Sequence, residues 1–184
     1  MKIRLAAPLQ RDSVVDGLGV RTVIWTQGCS HNCPFCHNAS TQPFDGGYLE
    51  EVENIKEELD NLTEQDGITL SGGDPLFQIE AVYEIAKYAK EKGMNIWCYT
   101  GFTWEEVLQL GEKNKTYLDF LKEIDVLVDG KFMIEKKDPN CLFRGSSNQR
   151  LIDVPKTLQQ GKIIVIPESD GIMEQFQPKE VTYI

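Results

Sequence analysis

Strand-like and helix-like segments alternate along most of this 184-residue chain, and that alternation limits its fold more than any other feature. Residues 21–26 (RTVIWT) are rich in β-branched side chains and predict a strand. Leu49, Val52, Ile55, Leu59 and Leu62 recur at helical spacing, which predicts a helix over 49–62. A short buried strand is expected at 67–70. A helix opened by Pro75 follows, with Ile79, Val82, Tyr83, Ala86 and Ala89 on one face and Gly93 as its stop. After a strand at 95–100, Thr103 and Glu106 have the spacing of a capping box. A helical piece at 117–123 leads to a strand at 125–129, and further strands are expected at 150–154 and 162–166. Strand–helix alternation builds parallel sheets joined by right-handed crossovers, with ligand sites at the carboxyl ends of the strands. The unusual motifs fall at such ends: a cysteine loop after the first strand, Ser71-Gly72-Gly73-Asp74 after the second, Thr100-Gly101 after the third and Asp129-Gly130-Lys131 after the fourth. Four motifs on one rim converge on one site.

The cysteine loop reads GCSHNCPFCHN and holds Cys29, Cys33 and Cys36. Three thiolates this close suit a soft metal or an iron–sulfur cluster. A four-iron cluster takes four ligands and no fourth cysteine is near, so one iron would stay open to a substrate. A Cys3His zinc site with His31 or His37 is the rival reading, although zinc sites usually draw on two separated ligand pairs. A disulfide staple fits poorly: the cysteine count is odd, and Met1-Lys2 runs into a mixed segment with no signal-peptide core. Free cysteines without such a leader suggest a reducing, cytoplasmic setting.

A net charge of −10 argues against nucleic-acid binding, and no apolar run approaches membrane-span length. Residues 1–184 are read as a single domain, with 150–184 a C-terminal extension of unassigned structure.

Other candidates carry two readings each. Gly72, Gly73 and Asp74 would let backbone approach a ligand and offer acceptors, or simply make a turn. Thr100 and Gly101 would line the same pocket, or Thr100 only closes its strand. Asp129 and Lys131 would bind ligand hydroxyls and a carboxylate, or flank an ordinary Asp-Gly turn. His31 is expected to face solvent, Cys98 to be buried core and Cys141 to sit in a loop; the rival reading makes either cysteine the missing fourth cluster ligand, although each is more than sixty positions from Cys36. Residues 144–150 read as a polar surface loop.

CSHNCPFC matches the CxxxCxxC signature of the radical S-adenosylmethionine enzymes. With VDGLGVRTVIWTQGC, SGGDPL, YTGFTWEE, VLVDGKF and FRGSSNQR, the chain resembles the activating proteins of anaerobic (class III) ribonucleoside-triphosphate reductases over residues 15–150. The resemblance implies a partial, open βα barrel with a parallel sheet and outer helices. It implies a [4Fe-4S] cluster on Cys29, Cys33 and Cys36, with S-adenosyl-L-methionine chelated by the open iron. Phe35, Cys36, His37, Gly72, Gly73, Asp74, Thr100, Asp129 and Lys131 would then contact that cofactor. Reductive cleavage would give a 5′-deoxyadenosyl radical that takes hydrogen from a glycine of the reductase, with electrons from a flavodoxin or ferredoxin. The cofactors carry such chemistry, so no protein acid, base or nucleophile is expected to be essential. Leu18 stands where activases usually have proline, which loosens that turn. Too few residues follow Asp129 for a complete eight-unit barrel. The activase of another glycyl radical enzyme, of the pyruvate formate-lyase type, is the near alternative. A small-molecule radical enzyme and a zinc module are the distant ones.

Overall fold

The computed structural model describes residues 1–167. The order of elements is β1 (Lys2–Leu5), β2 (Gln10–Ser13), β3 (Arg21–Thr26), β4 (Tyr48–Glu51), α1 (Val52–Asp60), β5 (Gly67–Gly72), α2 (Ile79–Glu91), β6 (Asn95–Tyr99), α3 (Trp104–Lys113), α4 (Thr116–Glu123), β7 (Val126–Asp129), β8 (Arg150–Asp153) and α5 (Val154–Gln160). One sheet runs β4-β1-β3-β5-β6-β7-β8, with β2 also on β3.

The expected all-parallel sheet is mixed. β3, β5, β6 and β7 are parallel, as their helical crossovers require, whereas β1, β2, β4 and β8 pair antiparallel. β8 follows β7 through a long loop without a crossover helix, so it returns in the opposite direction.

Residues along the parallel strands alternate between two faces. Ile24, Ile68, Leu70, Ile96, Cys98 and Leu127 pack with the apolar stripes of the helices, among them Ile55, Val82, Ile85, Val107 and Phe120. Burying one such side chain contributes roughly 1.5–3 kcal/mol, so this layer carries most of the stability. The opposite face holds Trp97, Val126, Val128 and Leu151, together with polar Arg21, Thr69 and Ser71. Arg21 is fully buried there. Its guanidinium donates to Thr69 Oγ1 (2.7 Å), Leu18 O (3.0 Å) and Asn95 Oδ1 (3.1 Å), and burial pulls its pKa down to about 10.

Several elements differ from expectation. The helix expected over 49–62 starts at Val52, because residues 48–51 pair with β1 in register Lys2↔Glu51 to Leu5↔Tyr48. Leu49 consequently faces solvent. Pro75 opens a 3-10 turn, Pro75–Gln78, before α2 begins. The strand expected at 162–166 is a single bridge, Ile152↔Val165, since the turn at Gly161 returns the chain only briefly before Pro167, which lacks an N–H donor. The capping box on α3 forms as read: Glu106 N donates to Thr103 Oγ1, and Thr103 N donates to the Glu106 carboxylate. The tail after Pro167, for which no structure was assigned from sequence, lies outside the described residues.

Candidate iron–sulfur and cofactor site

β3 ends at Thr26, and the chain then loops out and returns beside itself. Gly28 N donates to Thr41 O and Cys29 N to Gln42 O, each at 2.8 Å. The Gln27 side-chain amide closes the base by donating to Pro43 O at 2.7 Å. Within the loop Asn32 and Phe35 take left-handed backbone (φ 51° and 57°), and Cys36 N donates back to Cys33 O. These tight turns bring Cys29, Cys33 and Cys36 to the wall of one cavity of about 460 Å³. All three are partly exposed free thiols. Burial pushes the Cys29 thiol up to about 11, opposed by a hydrogen bond from the His31 backbone; burial also raises Cys33. Loading a metal therefore releases protons as the thiolates form.

The donor set fits an iron–sulfur cluster. Three thiols and no carboxylate-rich shell make a soft site. Among the described residues, no three His, Cys, Asp or Glu side chains draw together tightly enough for a single ion. A multi-iron cluster holds its thiolates farther apart than one ion does.

The cavity also takes in His37, Gly72, Gly73 and Thr100 from the expected set. The glycines, however, make room for chain against chain. A side chain at Gly73 would strike the backbone of Gly28 and Thr41, and one at Gly72, whose φ is 109°, would strike Thr26. Glycine here lets the β5 turn press directly on the cysteine loop, where Gly73 N donates to Thr26 O and Asp74 N to Gly28 O.

Four readings change. Asp74 does not present a free carboxylate to the cavity. It is 1 % exposed and accepts hydrogen bonds from Leu76 N, Thr100 Oγ1, Gly101 N and His31 Nε2. His31 is therefore not solvent-facing: its side chain is 7 % exposed. Asp129 is likewise consumed, by the Arg150 guanidinium and by Trp104 N at the start of α3. Lys131 is exposed and lines a neighbouring hollow with Glu105 and Arg150. The Phe35 ring is 78 % exposed and outside the cavity wall, which leaves the backbone contact expected of it untouched. Cys98 is buried core as read, and Cys141, expected in a loop and weighed as a fourth cluster ligand, reaches the cavity wall.

Sequence reasoning missed the cavity floor. Trp25, Ser71 and Tyr99 stand there on three adjacent strands. Their signal was available: each alternates with the apolar helix-facing positions, and a polar residue inside a parallel strand is unusual. Sequence reasoning read 144–150 as a surface loop or lid, with Arg144 near the ligand or the partner. Arg144, Gly145 and Gln149 line the cavity. Gln149 latches the loop, accepting from Gly145 N at 2.9 Å and donating to Gly130 O at 3.0 Å, while Asn148 donates to Lys131 O at 2.8 Å.

Comparison with known proteins bears on this arrangement directly. A family described as a 4Fe-4S single cluster domain matches residues 15–152. The anaerobic ribonucleoside-triphosphate reductase-activating protein of Escherichia coli K12 is 37% identical over 147 residues, covering 74% of this chain and 90% of that protein. The chain belongs to this family of activating proteins. The activating proteins of Vibrio cholerae and of Enterobacteria phage T4 are 38% and 37% identical over 144 residues; each match covers 74% of this chain and 89% and 86% of the relative. Among solved structures, QueE from Escherichia coli superposes on 56% of this chain and 54% of its own, with a TM-score of 0.49 and 14% identity, too partial an overlap to bear on fold or activity. In this activating-protein family setting, the cysteine loop and its cavity are the part of the fold that would meet a cluster.

Proposed function

We propose that this chain activates an anaerobic ribonucleoside-triphosphate reductase, acting as a cytoplasmic oxidoreductase. The observation that carries the reading is the convergence of Cys29, Cys33 and Cys36 on one cavity that the Ser71-Gly72-Gly73 turn also lines, in a chain of this family. When bound, a [4Fe-4S] cluster and S-adenosyl-L-methionine supply one-electron cleavage to a 5′-deoxyadenosyl radical, which removes a hydrogen atom from a glycine of the reductase.

The residues of the chain bind, orient and exclude water. Cys29, Cys33 and Cys36 hold the cluster and leave one iron without a protein ligand. Backbone of the 71–73 turn supplies acceptors for an ammonium group. Arg144 is the one arginine or lysine in the cavity wall among the described residues, and it takes the carboxylate role first read for Lys131. Thr100, with its hydroxyl on Asp74, holds that carboxylate and shapes the wall. Trp25 and Tyr99 form an amphipathic floor that keeps bulk water out. No side chain here needs to pass a proton. The parallel strands β3, β5, β6 and β7 with their helices serve as an open βα barrel, and the open side admits the reductase's glycine segment. A flavodoxin or ferredoxin is the electron donor. No helix among the described residues is long and apolar enough to cross a membrane.

The test is anaerobic incubation with the reductase, S-adenosyl-L-methionine and a reductant. A glycyl radical signal is expected on that reductase and not on a pyruvate formate-lyase; the reverse would reject the assignment. Cys33→Ala is expected to abolish both the brown colour of the cluster and cleavage of the cofactor, read by absorbance and by 5′-deoxyadenosine release.

A further inference from the structure

The side chain of His31 is buried between loops, although it lies in the middle of an exposed segment. Its Nε2 donates to Asp74 Oδ2 at 2.7 Å, and the two side chains are 7 % and 0 % exposed. The imidazole sits among phenylalanines, 5.5 Å from the ring of Phe77 and 4.5 Å from that of Phe102. Phe77 in turn packs against Phe44 and Phe102. Gly101 closes the pocket: a side chain there would overlap the His31 ring.

Asp74 joins three separate turns through one carboxylate. Thr100 Oγ1 (2.9 Å) and Gly101 N (2.9 Å) bring in the turn after β6. Leu76 N (2.9 Å) holds the turn after β5. His31 brings in the cysteine loop. The His31 backbone also acts on the Cys29 thiol, holding its pKa down against burial. One residue thus ties a cluster-binding sulfur on one side to the motif turns on the other.

We propose that His31 is a positioning residue: anchored to Asp74 in its aromatic pocket, it sets the height and angle of the cysteine loop above the Gly72-Gly73 turn. That loop carries the cysteines that would hold a cluster, so this inference rests on the proposed function. The physical reason is the burial of the contact. In a dry pocket a hydrogen bond to a carboxylate is strong, and losing it leaves four-fold acceptor capacity at Asp74 short of one donor. A loop with no regular structure of its own has few other long-range restraints. The placement of the His31 backbone beside Cys29 adds a second consequence. Hydrogen bonds to cluster sulfurs stabilise the more negative, reduced state and raise the potential.

Three variants test it: His31→Leu removes the donor at similar volume, His31→Gln restores an amide donor, and Gly101→Ala expels the ring while leaving the histidine in place. The first readout is hydrogen exchange of residues 28–38 in the full-length, metal-stripped protein. His31→Leu and Gly101→Ala should exchange roughly ten- to a hundredfold faster there, as expected for loss of one charge-assisted hydrogen bond, with other segments unchanged. His31→Gln should recover much of the protection. The second readout is the midpoint potential of the reconstituted cluster, which should move negative in His31→Leu and return toward the wild-type value in His31→Gln. Wild-type exchange and an unchanged potential in His31→Leu overturn the proposal. If His31→Leu fails to fold, Gly101→Ala decides by the same readouts, and wild-type loop exchange in it is equally fatal. Failure of the function reading is separable: a wild-type protein that takes up no cluster defeats that reading, whereas exchange in the metal-stripped protein still decides whether His31 holds the loop.

Discussion

Asp74 and Asp129 stand at equivalent places on the rim, one just beyond β5 and the other at the end of β7, and each is 1 % exposed. Their surroundings differ in kind. Asp74 is held by two backbone amides, a hydroxyl and an imidazole drawn from three turns. Asp129 is held by one guanidinium and one helix-start amide, and that guanidinium is shared with solvent-exposed Glu105. The first half of the rim is therefore a knot around the cavity. The second is an ion-pair ladder that leads out to the surface. A carboxylate at the end of a parallel strand is a natural ligand candidate, yet both of these spend their acceptors on the protein. What separates them is whether the partners belong to the cavity wall.

The largest expected difference comes from truncation. Asp74→Ala leaves several buried donors without an acceptor, at about 1–3 kcal/mol each, and should cost about 3–5 kcal/mol in denaturant unfolding together with loss of activation. Asp129→Ala should cost about 2 kcal/mol and keep most activation, because Arg150 retains Glu105 and reaches water. Equal losses of activation in the two variants would erase the distinction. Thr100→Val should cost less than either, at about 1 kcal/mol, since Asp74 loses one hydroxyl and keeps its other donors. Glu105→Gln tests the outer rung. Although Arg150 holds the Glu105 carboxyl below its ordinary range, the side chain is 56 % exposed, and the change should cost under about 1 kcal/mol.

The smallest effect is alkaline. Burial raises the Tyr99 phenol above an ordinary tyrosine on the cavity floor. As pH climbs through about 10, the unfolded chain loses that proton while the native protein keeps it. Stability should therefore fall with rising pH in that range. Tyr99→Phe should flatten the fall, as followed by thermal unfolding across pH 9–11. An identical slope in the variant would place the effect elsewhere.

Local sequence dictated the parallel core, the positions of its turns and the cysteine loop, because periodicity, capping chemistry and cysteine spacing are written in neighbouring residues. The capping box at Thr103 and Glu106 and the strand Arg21–Thr26 were legible for that reason. Tertiary structure alone decided what the rim residues touch. Residues 48–51 became a strand because β1 offered a partner, and β8 ran antiparallel because no helix carried it across. His31 went inside because two phenylalanines and a carboxylate, the most distant 71 positions away at Phe102, closed around it. Asp74, Asp129 and Lys131 carry the same chemistry in any sequence. Which of them faces a cavity, an arginine or water follows from long-range packing, and that packing leaves no local trace in the chain.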